Sequence, residues 1–130
     1  MHANSKDHRA LATWAAACAE RVLELFEEAQ PGDKRVRAAM HAARNWAKGN
    51  LSVAEARKAA LAAYEAARMA QSDVAREAAR SAGHAAETAH EPNHAPHAAN
   101  YAVKAVLAAG GDADAEEAWQ DERVPTLGAD

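Results

Sequence analysis

The chain has 130 residues, which suits one domain, and a formal net charge of −4. Forty residues are alanine, seven leucine and seven valine, and none is isoleucine, so most of the 49% apolar content is methyl groups. This balance excludes a dedicated basic nucleic-acid binder, and the single cysteine, Cys18, excludes an internal disulfide.

Alanine is the best helix former and loses no side-chain rotamer entropy on ordering. The composition therefore predicts an all-α fold whose small side chains let helix axes approach closely. Such a core contributes less transfer free energy per residue than a leucine-rich one. A homo-oligomer, or a partner covering extra surface, is compatible with it. Charge is uneven: from Asp112 to Asp130 there are seven acids and one arginine, a balance of −6, while the other 111 residues balance at +2.

In chain order, the first predicted helix covers residues 5–29. Leu11, Trp14, Cys18, Val22, Leu25 and Ala29 recur at intervals of three and four and make one apolar face. No uninterrupted apolar segment precedes Glu20 and Arg21, so neither a signal peptide nor a membrane span is expected, and the cytoplasm is the expected compartment. Pro31 and Gly32 end this helix. Asp33 is the expected N-cap of a second helix over 33–48, with Val36, Met40, Ala43 and Trp46 or Ala47 inward and Gly49 at its end.

Ser52 and Glu55 form a capping box opening a third helix over 52–70. Its inward residues are Val53, Ala56, Ala60, Ala63, Tyr64 and Ala67. Ser72 or Asp73 caps a fourth helix over 73–90, which Pro92 interrupts. Pro96 suits the first turn of a fifth helix over 95–109, ended by Gly110 and Gly111. Asp112 or Asp114 caps a sixth over 114–123, and Pro125 lies in a tail over 124–130. No strand pattern appears. The connections are short, so the expected architecture is a single bundle of five to six mostly antiparallel helices over residues 1–130.

The stretch SAGHAAETAHEPNHAPHAANYAVKA, Ser81 to Ala105, holds His84, His90, His94 and His97. His90 and His94 are four apart, the spacing of two ligands on one helix face, and are the candidate metal ligands. Pro92 lies between them and favours a split across a bend. Two Glu-x-x-His units, Glu87 with His90 and Glu91 with His94, resemble half of a di-iron site, but both fall within eight residues instead of on two helices. The leading structural reading is a polar seam, with flat imidazole rings among small residues bonding the backbone groups that a helix end leaves unpaired. A metal or small-ligand site, and a pH-sensitive surface, are the alternatives. Nucleophilic catalysis has no support, because Cys18 has no evident base and no serine sits in an elbow motif.

Lys34, Arg35, Arg37, Arg44, Lys48, Arg57, Lys58 and Arg68 could hold phosphate, but interleaved acids make a solvated basic face the expectation. Trp14, Trp46 and Trp119 read as core anchors.

AGHAAETAHEPNHA followed by AANYAVKA resembles the central signature of the immunity-five-like proteins of bacterial polymorphic-toxin systems. The matching positions are Gly83, His84, Ala85, Ala89, His90, His94, Ala95, Tyr101 and Ala102; His97 stands where a small residue is expected. Trp14 to Glu28 resembles the family's opening helix, and Ala118 to Pro125 its closing Trp-Gln segment. The resemblance implies a small cytoplasmic helical protein, without catalytic activity, that neutralises a cognate protein toxin by binding it.

The expected function is therefore immunity, with no nucleic-acid or membrane partner and no cofactor. Charge complementarity puts the expected toxin surface on the acidic closing helix, at Asp114, Glu116, Glu117, Asp121 and Glu122. The alternative is a metal- or small-ligand-binding protein, or an enzyme, built on His84, His90 and His94 with Tyr101 as hydrogen-bond donor.

Overall fold

The computed structural model describes residues 5–128. Among the described residues there are six helices and no strand: α1 Ser5–Ala29, α2 Arg35–Ala47, α3 Val53–Met69, α4 Asp73–Glu87, α5 His94–Ala108 and α6 Ala113–Arg123. The all-α bundle expected from composition is the observed fold. Of the expected tail, residues 129 and 130 lie outside the described residues.

Local chemistry sets most helix ends. Ser52 Oγ accepts from the Glu55 amide at 3.1 Å while Glu55 reaches back to the Ser52 amide, closing the capping box of α3. Ser72 caps α4 and Asp112 caps α6 by the same kind of side-chain bond. Gly49 and Gly110 follow α2 and α5 at φ +82°, the left-handed conformation that glycine tolerates. Two ends differ from expectation. Asp33 stands one residue before the N-cap position of α2, and its carboxylate accepts from both the backbone and the guanidinium of Arg35. α4 stops at Glu87, three residues short of His90, because Pro92 disfavours helical backbone at Glu91.

α4 is the centre of the molecule: α1, α2, α3 and α5 all pack on it. Four neighbours fit around one helix because its buried residues are all small: Ala75, Ala78, Ala79, Ser81, Ala82, Gly83, Ala85 and Ala86. α1 supplies the bulk that alanine cannot, with Phe26, Val22 and Cys18 fully buried beside Met40 and Val36 of α2. Val53 and Ala29 are exceptions among the residues expected on the apolar faces: Val53 opens α3, Ala29 ends α1, and both are exposed. α6 packs on α5 at the periphery.

No helix among the described residues is long and apolar enough to cross a membrane. The basic residues of α2 and α3 are mostly committed to acids: Arg35 to Asp33, Arg37 to Glu27, Arg44 to Glu20, Arg57 to Glu87 and Arg68 to Glu65. This is the solvated, charge-paired face that the interleaved acids predict.

Because close packing on α4 leaves no room for added methyl groups, Ala79→Val is expected to cost about 1–3 kcal/mol. Phe26→Ala is expected to cost about 3–5 kcal/mol. Leu61→Ala, at a position 63% exposed, should change stability by less than about 0.5 kcal/mol. Urea unfolding of the three variants measures the ranking.

Candidate functional site

The turn between α4 and α5 is held by its own backbone. The amides of His90 and Glu91 both donate to Glu87 O, and those of His94 and Ala95 donate to Glu91 O and Pro92 O. The Thr88 hydroxyl donates to His84 O at 2.9 Å. Among the described residues, the histidine that bonds backbone here is His8 of α1, whose Nε2 lies 2.5 Å from Thr88 O while its ring packs on Trp46 at 4.5 Å. Nothing in the spacing of the four clustered histidines points to His8, which lies 80 residues before Thr88 in sequence.

The clustered histidines instead meet one another. His84, near the end of α4, faces His94, the first residue of α5, with their Nδ1 atoms 2.9 Å apart and their rings near-parallel at 5.2 Å. Tyr101, two turns along α5, also stacks with His84, at 5.2 Å and 2°. His97 stands 5.3 Å from the His84 ring. From α3, the Tyr64 hydroxyl reaches His84 Nδ1 at 3.2 Å. Glu87 Oε2 lies 3.6 Å from His94 Nε2, and Arg57 Nε lies 3.6 Å from Oε1 of the same carboxylate. Three helices thus converge on one aromatic and imidazole cluster.

Two features missed by sequence periodicity build it. Tyr64 reads as an ordinary inward residue of α3, yet it supplies a hydroxyl. Gly83 is the reason it can: a Cβ there would collide with Cε1 and Cδ1 of the Tyr64 ring, so only glycine lets the phenol lie against α4. His90 takes no part in this cluster. The turn carries it out to an exposed position, so His94 faces His84 across the helix pair. Among the described residues no three or more His, Cys, Asp or Glu side chains are already arranged around one point as a metal cage.

Burial holds His84 and His94 towards their neutral forms. Burial, then the neighbouring His94, His97 and Arg80, push the His84 pKa down to about 4. Burial also lowers His94, against the opposing pull of Glu87. Burial, reinforced by the Glu87 charge, raises the Tyr64 hydroxyl. Cys18 is inert by the same cause, its thiol pushed up to about 12 in the core.

The acidic closing helix divides into two faces. Glu116 is withdrawn from the expected partner surface: its carboxylate is 8% exposed and holds Arg21 of α1 through two bonds of 3.1 and 3.0 Å. Gln120 donates to Ala99 O at 2.9 Å, and Trp14 Nε1 donates to Gln120 O at 3.0 Å. Trp119 lies between the guanidinium groups of Arg21 and Arg123, each 4.3 Å from its ring. These residues anchor α6. Asp114, Glu117 and Asp121, spaced three and four apart, are exposed on the opposite face, with exposed Glu122 beside them.

The lowered pKa of His84 makes stability depend on pH. The unfolded chain takes up the proton near 6.5 and the folded chain near 4, so between these values unfolding binds protons and stability falls with falling pH. Stability present above 6.5 is expected to be lost progressively towards about 4. In chelator-treated protein, the thermal midpoint should drop through this window, and His84→Gln should flatten the slope. An unchanged slope would remove His84 as its source.

No curated protein and no solved structure matches the chain. The sequence profile of the family described as Imm-5 like putative immunity protein matches residues 1–127. With nearly its whole length matched, the chain belongs to the family so described, the Imm-5-like proteins.

Proposed function

We propose that this protein binds and neutralises a cognate bacterial protein toxin of a polymorphic-toxin system in the cytoplasm, acting by stoichiometric occlusion and not by turnover. Family membership over residues 1–127 carries the reading. The division of α6 supports a contact surface for it. Glu116, Trp119 and Gln120 fix the helix to the bundle, so Asp114, Glu117, Asp121 and Glu122 are presented on a rigid scaffold. A rigid acidic face loses little ordering entropy on docking and steers a basic partner surface.

The test is co-expression with the toxin domain encoded beside the gene. Growth protection and a co-purifying complex are expected. Asp114→Lys/Glu117→Lys/Asp121→Lys should slow association about 10-fold or more at low salt and reduce its salt dependence. Loss of protection by the unaltered chain would overturn the immunity reading. Protection with an unchanged association rate would overturn only the α6 surface.

A further inference from the structure

The sharpest juxtaposition in the molecule is the pair of imidazole nitrogens between α4 and α5. Nδ1 of His84 and Nδ1 of His94 face each other at 2.9 Å, and the Tyr64 hydroxyl oxygen stands 3.2 Å from the first. Two facing imidazole nitrogens need one proton or one cation between them. With a proton, they make a single hydrogen bond. With a metal, both present lone pairs to it.

Glu87 favours the second arrangement. Its carboxylate sits 3.6 Å from His94 Nε2, so the proton of the neutral ring belongs on Nε2 and the lone pair on Nδ1. A carboxylate behind the far nitrogen of an imidazole is the usual support of a metal-binding histidine. Arg57, 3.6 Å from the same carboxylate, holds Glu87 in turn.

We propose that His84 and His94 bind one divalent late transition-metal ion, of the Cu(II) or Zn(II) class, through their Nδ1 atoms. At about 2.0–2.1 Å from an ion, nitrogens spaced 2.9 Å subtend about 90°, the angle of neighbouring ligands in a tetragonal site. Opening the pair to about 3.3 Å gives the tetrahedral angle of zinc. Loading requires His84 to move its shared proton from Nδ1 to Nε2, a tautomer exchange with no net proton release. His97 is exposed, lies three residues after His94 on α5, and stands 5.3 Å from the His84 ring. Rotation of its side chain brings a third imidazole to the ion. This site differs from the four-apart pair of His90 and His94, and it does not depend on the toxin-binding reading.

The experiment is titration of the full, tag-free chain with Cu(II) and with Zn(II). Calorimetry reads stoichiometry, Cu(II) electron paramagnetic resonance reads nitrogen ligation, and the Zn(II)-dependent unfolding midpoint reads coupling to the fold. One ion per chain is expected, with nitrogen superhyperfine structure and a midpoint that rises with Zn(II). His84→Gln and His94→Gln should each abolish stoichiometric binding, and His90→Ala should leave it unchanged. Glu87→Gln should weaken it about 10- to 100-fold. Absence of stoichiometric binding by the unaltered chain would overturn the proposal, whatever the variants do to folding. So would binding that survives the His84→Gln/His94→Gln double variant or is lost in His90→Ala.

Discussion

Everything in this fold depends on how closely other helices can approach α4. Four of the other five pack on it, and no side chain it buries is larger than serine. Alanine surfaces of this kind offer little apolar area per residue, so the stabilisation comes from many short van der Waals contacts at close approach. The arrangement is sensitive to added volume. It explains why Phe26, Met40, Val22 and Val36 are gathered between α1 and α2, where helices without such a strict limit can carry bulk.

Close approach also decides what the polar residues do. Ser81 lies fully buried in α4 and donates to Ala98 O of α5 at 2.7 Å, a bond possible only because the two helices nearly touch. Among the described residues no buried side-chain nitrogen or oxygen lacks a partner. An unmade hydrogen bond in such a core would cost about 1–3 kcal/mol, a large share of the stability of a small domain. The same constraint shapes the histidine cluster. Gly83 removes the one methyl group that would hold Tyr64 away, so the Tyr64 ring meets His84 edge-on while His94 and Tyr101 stack on His84, joining three helices.

The cluster and α6 represent different uses of charge. In the cluster, burial suppresses ionisation of His84 and His94, so the site offers neutral nitrogen lone pairs. On α6, one carboxylate is spent inside: Glu116 neutralises Arg21 and fixes the helix. The acids of its outer face stay exposed to solvent, with Glu122 beside Arg123 at 3.5 Å. Removing Glu116 from the outer face narrows the acidic surface without weakening its logic, since an anchored helix presents its charges in a fixed geometry.

Periodicity, caps and breakers were enough to place all six helices from the sequence. These are local effects: the Ser52–Glu55 box, the glycines after α2 and α5, and the prolines at 31 and 92 act within a turn or two of chain. The histidine stretch was also legible as a concentration of imidazoles, because four of them among alanines stand out in composition alone. Which histidines meet was not legible. His84 and His94 come together only when α4 and α5 pack side by side, and Tyr64 and His8 arrive from helices 20 and 80 residues away. Likewise, nothing local separates Glu116 from Glu117; Arg21, 95 residues distant, makes the difference. The sequence by itself determined the elements, because helix formation is a short-range property of the backbone and its caps. Only the tertiary structure decided the partners, because a side chain's role depends on which distant surface the packing brings against it.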